Sequence, residues 1–123
     1  MKYLILIYSN PASRQAWEGL SPVQRGEGLG VYAALREDLQ DSGELIVSEA
    51  LADPSLSKRV AVHDGRTMTT DGPFAEVKEQ LAGFFLIECE SLERALEYAG
   101  RVPEANFGLV EVRPVMDLSG FEL

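Results

Sequence analysis

The sequence predicts an α+β sandwich, one antiparallel sheet with helices on one side and an extra hairpin inserted mid-chain. Three observations predict it. Strand-length apolar runs occur at residues 2–8 (KYLILIY) and again at 81–89 (LAGFFLIEC). A capped segment with apolar residues at helical spacing follows each run. An Asp64-Gly65 link joins two extended segments between them. The resulting order (strand, helix, strands, strand, helix, strand) is that of a ferredoxin-like βαββαβ domain with an inserted β-hairpin. A chain of 123 residues fits one such domain, residues 1–123.

Each element has a local reason. The run 2–8 is nearly continuous in apolar, branched and aromatic residues, as in a strand buried on both faces. Asn10-Pro11 ends it, because proline has no N–H for the ladder. Residues 12–20 fit a short helix or an irregular loop. Ser21-Pro22-Val23-Gln24 starts a helix: Ser21 caps, Pro22 suits the first position and Gln24 completes a capping box. Leu29, Tyr32, Leu35 and Leu39 form its apolar stripe, and Ser42-Gly43 stops it. Gly26, Gly28 and Gly30 weaken its first half and permit close packing against a neighbour. Residues 44–51 (ELIVSEAL) read as the second strand. Residues 58–64 and 66–70 flank Asp64-Gly65, a pair whose tolerance of positive φ makes it the strongest short hairpin signal. Asp71-Gly72-Pro73 breaks the chain before the strand at 81–89. Ser91 caps the second helix, with Leu92, Ala95, Leu96 and Ala99 on one face, and residues 108–115 (GLVEVRPV) are the last strand.

Composition removes whole classes of function. Twenty acidic against eleven basic residues give a formal charge of −9. Phosphate-backbone binding and an anionic membrane surface both need clustered cations, so neither nucleic acid nor membrane is an expected partner. One Cys and one His exclude a disulfide within the chain and an ordinary zinc site, and no cofactor or metal is expected. No stretch is long and apolar enough to span a bilayer. The first apolar run is too short for a signal-peptide core, so a cytoplasmic location is the default expectation. Two helices cover one face of the sheet, while the other still carries Tyr, Ile, Phe and Val side chains. An apolar face of that size is not normally left in water. A second copy packed on it about a two-fold axis is the expected cover, which predicts a homodimer.

One segment is more distinctive than the rest. Asp71-Gly72-Pro73-Phe74-Ala75-Glu76, then Lys78-Glu79-Gln80-Leu81 and Gly83-Phe84-Phe85, resembles the signature of the DGPF-domain family, a branch of the YCII-related proteins. The opening 1–8, Ser48-Glu49-Ala50-Leu51 and the closing 110–115 fit as well, so the resemblance runs nearly end to end. It implies a dimeric α+β barrel, two ferredoxin-like sheets face to face, and it brings no established activity. A His–Asp pair has been suggested as the enzymatic site of YCII-related proteins proper. The corresponding positions here are Tyr32 and Val102, so that chemistry does not transfer, and Tyr32 is carried forward as a ligand-binding candidate. The resemblance also implies a regulatory link, since DGPF-type genes often neighbour those of extracytoplasmic-function sigma factors.

The candidate chemistry rests on few residues, each with an ordinary structural alternative. Asp71 can act as a base at the barrel mouth or fix the Gly-Pro corner through backbone N–H groups. Phe74 is expected in the core. Glu76, Lys78 and Glu79 form a charged cluster that either binds a polar substrate or keeps an edge solvated. Glu49 and Glu88 interrupt apolar strands, and a carboxylate there needs a partner. Arg113, on the same face as Glu111 by strand alternation, can pair with Glu49 or grip an anionic ligand. His63 is the natural proton shuttle, yet Asp64 should point away from it and the hairpin tip favours a surface role. Cys89 reads as a small buried hydrophobe. The enzymatic version makes Asp71 or Glu49, with His63 as a further catalytic candidate, the acid–base group. Lys78, Glu79 and Arg113 then hold a small-molecule ligand. The alternative is a regulatory interaction module whose negative charge mates with a basic surface, a sigma factor being the implied partner.

Overall fold

The computed structural model describes residues 1–74 and 77–120. In chain order the elements are β1 (Lys2–Ser9), α1 (Pro11–Glu18), α2 (Pro22–Asp41), β2 (Leu45–Ala50), β3 (Lys58–His63), β4 (Arg66–Asp71), β5 (Gln80–Glu88), α3 (Leu92–Ala99) and β6 (Val110–Pro114). Short 3₁₀ turns at Pro54–Leu56 and Pro103–Phe107 precede β3 and β6. Four strands form one antiparallel sheet in the order β2-β5-β1-β6, and β3 and β4 pair separately as a two-stranded ribbon. Each strand–helix–strand unit thus skips over one strand, the ferredoxin-like arrangement. The expected hairpin is the inserted ribbon.

Local chemistry explains the boundaries. Ser21 and Gln24 close a capping box at α2, with Gln24 N–H to Ser21 Oγ at 3.2 Å and Ser21 N–H to Gln24 Oε1 at 2.9 Å. Ser91 Oγ accepts from the Arg94 N–H at 3.2 Å and starts α3. The ambiguous segment after Asn10-Pro11 is the helix α1. Asn10 and Ser13 cap each other reciprocally at 2.7 and 2.9 Å, and Pro11 occupies the first turn. At the ribbon tip Asp64 and Gly65 both take positive φ (49° and 75°), as the two-residue turn requires.

The covered face of the sheet carries the core. Tyr3, Ile5 and Ile7 of β1 and Phe85 and Ile87 of β5 are buried against Leu35 and Leu39 of α2 and Ala95, Tyr98 and Ala99 of α3. Two expectations about the helices need correction. In α2 the stripe is covered only at its C-terminal half: Leu35 and Leu39 are buried, Tyr32 is half-buried and Leu29 is exposed. Of the three α2 glycines only Gly28 faces a neighbour, the Trp17 ring of α1. In α3 the buried face is Ala95, Tyr98 and Ala99, while Leu92 and Leu96 are exposed. Tyr98 displaces Leu96 from the core because its hydroxyl has partners there, as described below.

Among the described residues nothing covers the opposite face. Leu4 and Leu6 of β1 stand beside Leu86 and Phe84 of β5 in register, none of them buried. Val47 and Glu49 of β2 continue this face on one edge, and Glu111 and Arg113 of β6 on the other. Gly83 lets β2 and β5 approach closely, since a Cβ there would lie 2.9 Å from the Glu49 carbonyl oxygen.

Candidate functional site

Where the end of β1 meets the start of β6, a cleft of about 310 Å³ is lined by Tyr8, Glu79, Gly108, Leu109, Val110 and Glu111. Its geometry follows from pairing. The β1–β5 register shifts between Ile7 and Tyr8, a bulge that leaves Ala82 of β5 unpaired before pairing resumes at Tyr8↔Leu81. The Tyr8 N–H donates to the Leu109 carbonyl at 2.9 Å, which fixes the β1 end against the start of β6. Glu111 pairs with Leu6 and Arg113 with Leu4, so both side chains rise on the same face as Tyr8, one and two steps along the sheet.

The electrostatics of this trio are directional. Burial pushes the Tyr8 phenol above its ordinary range, and the Glu111 carboxylate pushes it further, while Arg113 partly offsets both. Tyr8 is therefore a neutral hydrogen-bond donor at physiological pH. Glu111 is an acceptor beside it and Arg113 a fixed cation one step beyond. A ligand that offers an oxygen to Tyr8 and a hydroxyl to Glu111 is matched by this arrangement. Sequence reading placed Glu111 and Arg113 on one face and missed Tyr8. The missing signal was strand order, which brings β1 beside β6.

The residues singled out from sequence are dispersed. Asp71 ends β4 at the root of the ribbon, exposed, and its carboxylate is paired with the Lys58 ammonium. Gly72 follows with φ of 85°, the left-handed conformation that the motif's glycine supplies, and its N–H donates to the Ser57 carbonyl at 2.7 Å. Phe74 is not a core plug: it is 65% exposed with the Arg59 guanidinium 5.4 Å from its ring centre. Glu49 is exposed on the β2 edge, opposite Phe84. It cannot pair with Arg113 in one protomer, because β5 and β1 stand between their strands, a separation of about 14 Å. His63 is exposed at the ribbon tip. Contrary to the alternation argument, its Nε2 lies 3.5 Å from Asp64 Oδ2, because Asp64 has already left the strand for the turn. Lys78 is exposed in the connection before β5, and Glu79 forms one wall of the cleft. Tyr32 is half-buried against the core and Val102 is 1% exposed. Glu76 lies outside the described residues. Cys89 is buried and its thiol faces the Ser91 carbonyl at 3.3 Å.

Two further acidic groups escaped the sequence reading. Glu44, just before β2, accepts from Tyr98 Oη at 2.6 Å and from Arg94 Nη2 at 3.1 Å. Arg94 Nη2 also donates to Tyr98 Oη at 2.7 Å, and its guanidinium lies 4.5 Å from the Tyr98 ring centre. Burial alone would raise the Glu44 carboxyl. The hydrogen bonds from Arg94, Tyr98 and Ser42 outweigh it and hold the group below its usual range. Glu104, in the turn before β6, has the reverse setting. One carboxylate oxygen is buried with no hydrogen-bond partner among the described residues, and burial raises the group.

Comparison with known proteins agrees with this architecture. A solved structure of 5-chloro-2-hydroxyhydroquinone dehydrochlorinase from Burkholderia phenoliruptrix, in complex with 2,5-dihydroxybenzoquinone, superposes with a TM-score of 0.53 at 18% identity. The alignment covers 94% of each chain, which establishes a shared fold. An uncharacterised protein of Rhizobium meliloti (strain 1021) is 34% identical over 117 residues, 94% of this chain and 92% of that one. Among the described residues no helix is long and apolar enough to cross a membrane, and no group of three or more His, Cys, Asp and Glu side chains is placed to hold a metal ion. The YCII-related domain model matches residues 1–119, and this chain belongs to that family.

Proposed function

We propose that the chain works as a homodimer of face-to-face sheets and binds a small hydroxylated or quinonoid ring in the Tyr8–Glu111 cleft, on which it moves protons without a cofactor. The observation that carries the reading is the trio of Tyr8, Glu111 and Arg113 at the end of an uncovered apolar face. Leu4, Leu6, Phe84 and Leu86 supply the surface that a second sheet would cover. A two-fold axis parallel to the strands sets the β2 edge of one sheet over the β6 edge of the other, so Glu49 and Arg113, apart in one protomer, flank the same margin of the barrel. The fold neighbour supports the ligand class: that dehydrochlorinase holds a dihydroxybenzoquinone on the same chain architecture.

In this reading Glu111 accepts the proton of an acidic ring hydroxyl. Tyr8 donates a hydrogen bond to the oxygen where negative charge develops, and Arg113 stabilises that charge. Glu79 forms the outer wall and Lys78 stands beside it in sequence. Asp71, paired with Lys58, holds the root of the ribbon.

Titration calorimetry with 2,5-dihydroxybenzoquinone as probe tests the binding claim. Saturable binding is expected, weakened about 10-fold or more by Tyr8→Phe and by Arg113→Met, about 1.4 kcal/mol each. No heat with this probe and none with other hydroxylated rings, or binding indifferent to both substitutions, refutes it. The exposed acidic groups at the end of β5 and on or before α3, Glu88, Glu90, Glu93 and Glu97, favour a second reading, a regulatory module docking a basic partner such as an extracytoplasmic-function sigma factor. A salt-sensitive complex between the two purified proteins, with no ring ligand bound, is its signature.

A further inference from the structure

The Tyr8 cleft is lined by two carboxylates, and the proton chemistry above uses one of them. Glu111 lies on β6 and Glu79 immediately precedes β5, the two strands that flank β1. The register fixes where each stands. Tyr8 is opposite Leu81 of β5, and Glu79 lies two residues beyond Leu81, on the same side of the backbone by alternation. Glu111 is opposite Leu6, two residues from Tyr8 in the other direction along β1. Tyr8 is thus the midpoint of a diagonal with a carboxylate at each end. One strand spacing and two residues of rise set each glutamate Cα about 8 Å from that of Tyr8, so that about 16 Å separates the ends.

Those ends dictate what a ligand must offer. An ionised carboxylate accepts hydrogen bonds and donates none, so a matching ligand carries a donor at each of two opposite ends. The Tyr8 hydroxyl, beside Glu111, is the donor within the cleft. A ring with two hydroxyls para to one another meets these needs: about 5.5 Å between its oxygens and about 2.7 Å for each hydrogen bond span about 11 Å of the diagonal. The glutamate side chains cover the rest. Hydroxyls on adjacent ring atoms point to the same side and serve one end only. The cleft volume of about 310 Å³ is at the small end of ligand sites, which run from about 300 to 1,000 Å³, and suits a single ring.

We infer that Glu79 is a specificity residue of this cleft and that the cleft selects para-dihydroxylated rings over monohydroxylated and ortho-dihydroxylated ones. One hydroxyl donates to Glu111 while its oxygen accepts from Tyr8, and the opposite hydroxyl donates to Glu79. The inference rests on the ring-binding reading and adds to it the substitution pattern of the ring and the residue that reads it. Glu79 holds the far end and takes no part in the proton transfer at Glu111.

NMR titrations of isotope-labelled protein with hydroquinone, catechol and phenol test it. Hydroquinone is expected to bind about 10-fold tighter than either of the others, since it alone gains the second charge-assisted bond. The amide signals of Tyr8, Glu79 and Glu111 are expected to move together with it, whereas phenol moves those of Tyr8 and Glu111. Glu79 is exposed, so its replacement leaves the core untouched. Glu79→Ala is expected to bring hydroquinone down to the affinity of phenol and to change phenol itself less than about 2-fold. Glu79→Gln keeps a neutral acceptor of the same size and is expected to retain a preference of about 3-fold. Equal affinities for the three rings in the wild type, or a preference for hydroquinone that survives Glu79→Ala, overturn the role of Glu79 and leave the ring-binding reading standing. So does hydroquinone that fails to bind where 2,5-dihydroxybenzoquinone binds. No binding by any of these rings overturns the role of Glu79 and the reading beneath it together.

Discussion

Tyr98, Glu44 and Arg94 on the helix side of the sheet and Tyr8, Glu111 and Arg113 on the open side are the same three residue types in different settings. In the first cluster every partner is close: bonds of 2.6, 2.7 and 3.1 Å join the three side chains and tie α3 to the start of β2. In the second, the side chains share a face by register, and among the described residues no salt bridge joins Glu111 to Arg113. Instead a cleft opens beside Tyr8 and Glu111. A phenol, a carboxylate and a guanidinium that saturate one another stabilise a junction. The same groups held in reach of a cleft keep their capacity for a ligand. The difference is set by topology, since Glu44 and α3 meet at a closed corner of the core, whereas β1 and β6 meet at an uncovered edge.

The largest test of this contrast compares neighbours in β1. Ile5 is fully buried on the covered face, and Ile5→Ala is expected to cost about 3–4 kcal/mol in urea unfolding, by lost contacts and the cavity left behind. Leu6 points the other way, half-exposed. Leu6→Ala is expected to cost about 1 kcal/mol or less in dilute protein, where the protomer stands alone, and to show its main effect as about 10-fold weaker dimerisation. Equal losses at low concentration for both variants erase the distinction between the faces.

A smaller effect separates the two tyrosines. Tyr98→Phe removes a hydroxyl bonded to both Glu44 and Arg94 and is expected to cost about 1–2 kcal/mol. Tyr8→Phe removes the hydroxyl of a residue that lines the cleft beside Glu111, and its stability cost is expected within about 0.5 kcal/mol while ring binding drops. Thermal unfolding at fixed protein concentration, set beside the calorimetry, gives both numbers for each variant. A reversed order of stability loss makes Tyr8 the structural residue and empties the cleft of its proposed role.

Much of this architecture was legible beforehand because it is written locally. Ser21 with Gln24, Ser91, and Asp64 with Gly65 act within a few residues, and each did what its chemistry dictates. The short helix at Pro11–Glu18 carried its own signal in the Asn10/Ser13 pair, which offers a box with Ser in the place usually taken by Glu or Gln. Long-range facts were less accessible. Period alone puts Leu96 in the core; only the position of Glu44, more than fifty residues earlier in the chain, shows why Tyr98 takes the place. Alternation put Glu111 and Arg113 on one face, but that Tyr8 joins them and Glu49 does not depends on the order β2-β5-β1-β6. Applying the ferredoxin-like strand order to the sequence would have found the trio.

The smallest predicted effect sharpens the comparison through pH. Glu44 is held below its ordinary value in the folded protein, so its contribution is fully present above about pH 4.5, the value of the unfolded chain, and is lost as pH falls through the lower folded value. Glu104 is raised by burial, with one oxygen unpartnered. Its penalty is absent below about pH 4.5 and grows as pH rises through the folded value, where the buried carboxyl must ionise. The two substitutions to Gln are therefore expected to tilt the stability profile in opposite senses. Glu44→Gln lowers stability at pH 7 and flattens the fall below about pH 4.5. Glu104→Gln raises stability at pH 7 by a small amount and leaves it unchanged near pH 4, because an amide supplies the neutral form at every pH. Unfolding midpoints for the three proteins at matched concentration from pH 3 to 7 decide it. Parallel profiles for Glu104→Gln and the wild type mean that water reaches the Glu104 carboxylate and satisfies it, so that the turn before β6 holds no buried charge.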